Sequence, residues 1–256
     1  MIDSVFLEAK GALLFLMTLT FRPPALHQGL TTVAKKRHPR FYFQDGNVVF
    51  LVESTIYKIH RYFFHRDSSI FDAMFSLPIP AGQRPEGESE ENPICLHGIA
   101  TQDFDRLLSI LYPLWVVIVI VSISILQLNF ILPRNFLEYE MKTVEEWTSI
   151  LDLACRWDFS SLHELAVNNL YPITSTADKI YLGHIYEVTE WLVPAYTELC
   201  TRQEPLTLEE GRKLGVDIVT SIGQVRHQIR YRSNLNRSHD TIVELVRRAF
   251  VSSNGA

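Results

Sequence analysis

Only three cysteines occur in the 256 residues: Cys95, Cys155 and Cys200, far apart and without CxxC spacing. An odd, scattered set excludes a disulfide framework and fits a reducing compartment. Each is expected to be buried as a small apolar side chain. Charge of one sign is also scarce: the formal net charge is −5 and the pI is near 6.0. Neither nucleic acid nor an acidic membrane surface would be attracted overall. Catalytic signatures are missing too. Nine histidines show no HxxxH or HExxH pair, and there is no GxSxG, GxxxxGK or GxGxxG. The recognised sequence routes to zinc, acyl, phosphoryl and hydride chemistry are therefore absent. The pairs Glu145-Glu146 and Glu209-Glu210 open predicted helices, where they complement the helix dipole. No catalytic residue, cofactor or metal is expected.

What is present concentrates in residues 41–113. Phe41, Phe43, Phe50 and Val52 alternate with other residues as a strand requires, and Glu53-Ser54 reads as a turn into a second strand. From His60 onward the apolar spacing becomes helical, with Ile70 and Phe71 one turn before Met74 and Phe75. Ser69, with Asp72 three residues later, marks a helix start. Residues 76–93 hold four prolines, two glycines and four glutamates. That composition offers no face to pack and predicts an exposed, mobile loop. ICL at 94–96 reads as a strand, and Phe104-Asp105-Arg106-Leu107-Leu108 with Leu111-Tyr112 reads as a helix.

This order resembles the BTB/POZ domain, in which Asp, alternating apolar residues, His-Arg, Ser, an aromatic and Met-Phe follow one another. Those roles fall to Asp45, Val48 to Val52, His60, Arg61, Ser69, Phe71, Met74 and Phe75, with Phe104 in the helix that closes the first half. Gly46-Asn47 intervene where many relatives enter the strand directly. As a whole the chain is similar to the BTB proteins abundant in mushroom-forming fungi. The resemblance implies an α+β fold, a small mixed sheet covered by helices. It also implies that Asp45, His60, Arg61, Ser69, Phe71, Met74, Phe75 and Phe104 define the fold or contact partners. His60 is expected first as a core histidine fixing the strand-to-helix turn. Its second reading, with Arg61 and Asp45, is a polar groove for partner contact.

Beyond residue 140 the periodicity is helical. Thr143/Glu146 and Ser161/Glu164 read as capping boxes, and Pro172 as a stop. Trp147, Trp157 and Trp191 lie on apolar stripes and are expected in the core. After 174–176, segments 178–187, 190–202, 208–232 and 239–251 predict an all-α extension. The longest is one helix whose stripe includes Gly211 and Gly215, placed there for close backbone approach. The domain plan is a poorly ordered tail at 1–40, a BTB/POZ-like domain at 41–173 and a helical extension at 174–256.

One stretch interrupts the plan. Leu114–Leu132 is nineteen uncharged residues, and as a helix it would cover about 28 Å, near the thickness of a bilayer's hydrocarbon core. A span there would separate 41–113 from 143–171, which together complete one fold, so membrane anchoring is disfavoured. Removing 114–133 restores a family-like connection. The run therefore reads as foreign to the fold, such as an unspliced intron translated in frame. The apolar Gly11–Leu19 lacks a cleavage site and its flanks are wrong for a signal peptide. Lys35–Arg40 is a basic cluster, read as a solvated tail or, secondarily, as a nuclear address. The resulting expectation is a cytoplasmic or nuclear, non-enzymatic interaction module that pairs with itself. Its further partners would be a cullin scaffold of a ubiquitin ligase or other proteins, with no nucleic acid. The alternatives are a nuclear scaffold or transcriptional co-regulator and, last, a membrane-anchored protein.

Overall fold

The computed structural model describes residues 34–78, 82, 84–113 and 141–251. The Gly11–Leu19 segment and the 114–133 run lie outside the described residues. Four strands form one sheet in the order β1-β3-β2-β4. They are β1 (Lys36–Tyr42), β2 (Val48–Val52), β3 (Thr55–Ile59) and β4 (Ile94–Leu96). β2 and β3 are antiparallel around Glu53, whose φ of 53° makes the tight turn. β1 joins β3 in parallel and β4 joins β2 in parallel, so the sheet is mixed as expected.

Two sequence expectations change here. The alternation across 41–52 is not one strand, because the chain turns at residues 43–47 between β1 and β2. Gly46 permits that turn: a Cβ there would sit 2.8 Å from the carbonyl carbon and oxygen of Lys58. The tail, expected to run to residue 40, ends earlier, since residues 36–40 are already in β1. His38 explains how a basic, proline-containing segment joins the sheet. β1 bulges between Arg37 and Tyr42, and the His38 Nδ1 accepts the N–H groups of Arg40 (3.2 Å) and Phe41 (2.9 Å) inside the bulge. The same imidazole presents Nε2 to Asp105 at 3.2 Å, and Tyr57 donates its hydroxyl to that carboxylate at 2.7 Å. Burial, and then Asp105, push the Tyr57 phenol above its ordinary pKa, so it remains a donor.

The acidic loop is likewise less free than its composition suggests. Gly87 is buried with φ +81°, accepts the Val49 N–H at 2.8 Å and donates to Asn92 at 2.7 Å. Glu90 meets Arg37 at 2.8 Å and takes the Tyr42 hydroxyl. These contacts dock residues 87–92 on the sheet.

Among the described residues, ten helices follow the strands or lie between them: α1 (Arg61–Asp67), α2 (Ser69–Ser76), α3 (Thr101–Leu111), α4 (Val144–Arg156), α5 (Ser160–Ile173), α6 (Thr176–Ile185), α7 (Thr189–Thr201), α8 (Leu208–Leu214), α9 (Val216–Tyr231) and α10 (His239–Phe250). Thr143/Glu146 and Thr207/Glu210 close as reciprocal capping boxes. Ser161 instead lies inside α5, which begins one residue earlier, and Pro172 is carried within its last turn rather than ending it.

The chain divides into two compact units, with the boundary between Ala166 and Val167, inside α5. In the first unit the core is aromatic. Phe50, Phe64, Phe71, Phe104, Trp157 and Phe159 are all at most 1% exposed and meet largely edge to face: Phe64–Phe71 at 5.0 Å, Phe71–Trp157 at 5.4 Å, Phe104–Trp157 at 6.0 Å. That geometry sets positive ring edges against negative faces. Residues before 114 and after 140 share this core. Ser68 Oγ donates to the Trp157 carbonyl at 2.5 Å, and Arg106 reaches Ser149 Oγ at 3.2 Å.

The second unit packs α6 to α10 around Ile180, Leu192, Leu199, Ile222, Val225 and Val246, with Tyr196 and Phe250 stacked at 3.9 Å. The helix expected over 208–232 is two helices. Gly215, at φ 82° and ψ 164°, breaks it in a conformation essentially reserved for glycine. A Cβ on Gly215 would meet nothing within 4 Å and one on Gly211 only Val219 at 3.9 Å, so close backbone approach is not their role. Trp147, Trp157 and Trp191 are in the cores. Cys200 is buried, its thiol pushed up to about 12 by burial, but Cys95 and Cys155 are exposed rather than buried as expected.

Candidate functional site

β3 ends at Ile59 and the chain bends directly into α1, placing His60 at the helix N-cap and Arg61 in its first turn. His60 does not cap with its side chain. Its backbone N–H donates to the Tyr112 hydroxyl at 2.9 Å, and Nδ1 lies 3.1 Å from that same oxygen. Nε2 is 3.3 Å from Asp45 Oδ2, and the ring leans on Phe43 at 5.2 Å. With 30% of its side chain exposed, His60 is half-buried rather than the core histidine first expected. It does fix the strand-to-helix turn as that reading required. The hydrogen bond from His60, then one from its own backbone, lowers the Asp45 carboxyl pKa, so Asp45 stays anionic.

Arg61 donates its backbone N–H to Asn47 Oδ1 at 2.7 Å and Nη2 to the Phe75 carbonyl at 2.6 Å. Its guanidinium lies 4.1 Å from the centre of the Phe75 ring. The β1–β2 turn, α1 and α2 are tied together in this way. Asp45, His60, Arg61 and Phe75 therefore come together. Around them Tyr62 and Leu77 are strongly exposed, and Met74 is half-buried.

The other expected site residues lie elsewhere. Phe71 and Phe104 are fully buried and serve the core. Ser69 is the first residue of α2, exposed, and donates to Asp158. The N-cap of α2 is Ser68, which accepts the Phe71 N–H at 3.1 Å, one residue before the expected position. Tyr112, Asn47 and Phe43 complete the site and were not singled out from sequence. Asn47 followed Gly46 in a turn-like dipeptide, a usable signal. The pairing of Tyr112 with His60, fifty-two residues apart, left none.

Chemically the cluster is a relay of hydrogen bonds from Tyr112 through His60 to Asp45. Burial raises the Tyr112 phenol to about 12, so at neutral pH it keeps its proton and can donate a hydrogen bond to the network. Among the described residues no group of three metal-ligating side chains converges. Nor is any helix there long and apolar enough to cross a membrane. A mixed charged and aromatic surface on a rigid frame suits recognition of another protein.

The family model of the BTB/POZ domain matches residues 42–129, which contain every element of this site. Residues 42–129 are thus a BTB/POZ domain, a kind of protein–protein interaction domain, and a helical region follows it in the chain. The match runs into the apolar stretch and stops before α4. No curated protein matches the chain.

Proposed function

We propose that the protein is a non-enzymatic adaptor that self-associates through its BTB/POZ domain and recruits a cullin scaffold of a ubiquitin ligase, presenting a client by its helical region. The observation that carries this reading is the Asp45–His60 pair, with Tyr62 and Leu77 exposed close by in sequence, within the match to the interaction family. Self-association would present two copies of that surface, raising effective concentration without new contacts. On the same reading α4 and α5 complete the domain, and residues 114–133 are foreign to it. Pull-down of a purified cullin N-terminal domain tests the assignment. Retention at about micromolar affinity, a free energy near −8 kcal/mol, is expected. Absence of binding by the wild-type chain removes the ligase role.

A further inference from the structure

Between Asp217 and Asp240 the chain contains no acidic residue but carries Arg226, Arg230, Arg232 and Arg237 with His227 and His239. The segment forms most of α9 and the turn into α10. Elsewhere in the second unit cations sit on carboxylates: Arg202 on Glu210 at 2.6 Å, Arg248 on Glu244 at 2.8 Å, and Lys213 on Asp178. In this segment the arginines bond main-chain oxygens instead. Arg226 Nη2 donates to Arg202 and Glu204 carbonyls, both at 2.8 Å. Arg226 and Arg230 also converge on the Gln203 carbonyl, each at 3.3 Å. Arg237 donates to Ile229 at 2.8 Å and to Arg230 at 3.2 Å, while Arg232 makes no side-chain bond among the described residues.

These contacts satisfy carbonyls left open at the ends of α7 and α9 and suit the negative pole of each helix. They hold the guanidinium groups in place without neutralising them. Like charges are visibly crowded. The Arg226 guanidinium is pushed down by burial and then by Arg230 and Arg202, with Cys200 and then Glu204 as weaker, opposing influences. Tyr231, 71% exposed, stands on the same tip with the His227 ring 5.0 Å away.

We propose that this arginine tip is a docking site for an acidic segment of a partner protein. Guanidinium groups already anchored on carbonyls lose little further side-chain freedom when a carboxylate pairs with their remaining N–H donors. One exposed tyrosine provides a contact for a flanking apolar residue. Single-stranded nucleic acid would call for a series of stacking aromatics along a basic groove, and a chain of net charge −5 does not draw a long polyanion from a distance.

Fluorescence anisotropy of the full chain with a fluorescein-labelled glutamate-rich peptide tests the site, with the glutamine counterpart and a single-stranded oligonucleotide as comparisons. The glutamate peptide should bind, more weakly as salt rises. Reversing two charges with Arg230→Glu and Arg232→Glu should weaken it about tenfold, the combined size of two exposed ion pairs. The same number of charges reversed elsewhere in the second unit, with Arg212→Glu in α8 and Arg248→Glu at the far end of α10, should leave binding within about twofold. Arg232→Glu alone touches no intramolecular bond and gives the same direction if the double variant misfolds. Equal weakening by both pairs of substitutions, equal binding of the glutamine peptide, or tighter binding of the oligonucleotide would each overturn the proposal. None of these outcomes bears on the cullin experiment, which concerns the other unit.

Discussion

Around Phe71 the first unit buries rings against rings; around Leu199 the second buries mainly aliphatic side chains between helices and stacks Tyr196 on Phe250. The difference follows from what each must hold. A four-stranded sheet with short helices on it needs large side chains that reach across several elements, and the edge-to-face contacts of Phe71 and Phe104 tie residues 50, 64, 104 and 157 into one cluster. Helices packed on helices bring repeating aliphatic ridges together and leave their ends as the problem to be solved. The second unit solves it with a capping box at Thr207 and with arginines on open carbonyls. The first unit secures helix ends too, with the Thr143/Glu146 box, the Ser68 cap and Arg61 on the Phe75 carbonyl, so the contrast lies in the two cores.

Substitutions can break this contrast in order of effect. Phe71→Ala should cost about 3–5 kcal/mol and Leu199→Ala about 2–5 kcal/mol, read by urea denaturation with circular dichroism. The aromatic loss should also quench the near-ultraviolet signal of Trp157, which Leu199→Ala should leave intact. Glu210→Gln comes next at about 1–3 kcal/mol, because Glu210 serves both the capping box and a paired contact with Arg202 at 2.8 and 2.6 Å. The bonds to Arg202 hold the Glu210 carboxyl at about 2, against its usual 4.5. A depressed folded-state value means that the stabilisation is complete above about 4.5 and is lost as the pH falls toward 2. Thermal melts across that window should separate wild type from Glu210→Gln above it and bring them together below it.

Glycine substitutions sharpen the comparison at smaller scale. Gly215→Ala should cost about 1–3 kcal/mol, since the left-handed backbone strains any L side chain although space is available. Gly211→Ala, inside α8 with room for a methyl group, should stabilise by about 0.5–1 kcal/mol. A matching loss at both glycines would show that close packing governs them after all.

Much of the fold was legible wherever its cause is local. The boxes at Thr143/Glu146 and Thr207/Glu210 need only three residues of context, and the Glu53-Ser54 turn only two. The stripe Leu214, Ile222, Val225 lies on the core as its spacing requires, but the same spacing continued through Gly215 and hid the break. Gly87 acts through Val49 of β2, and His38 acts through the bulge of its own strand and Asp105 of α3, so loop and tail compositions were poor guides to residues 87–92 and 36–40. At the site, Asp45, His60, Arg61 and Phe75 came from the family pattern. Phe71 and Phe104 belonged to that pattern for a different reason, as core. Tyr112 could be recognised only once the sheet had brought it to His60.

The central claim is that residues before 114 and after 140 make one folded body that serves as an interaction module. Ser109 Oγ lies 3.6 Å from Met141 Sδ, so the two ends are neighbours. After excision of 114–133 the remaining residues 134–140 could span about 23 Å, ample for that distance. Thermal unfolding of the excised chain, followed by tryptophan fluorescence and by cullin binding, tests the claim most directly. A melting temperature at or above that of the full chain, with binding unchanged, is the expected result. Collapse of the tryptophan transition together with loss of binding would contradict it.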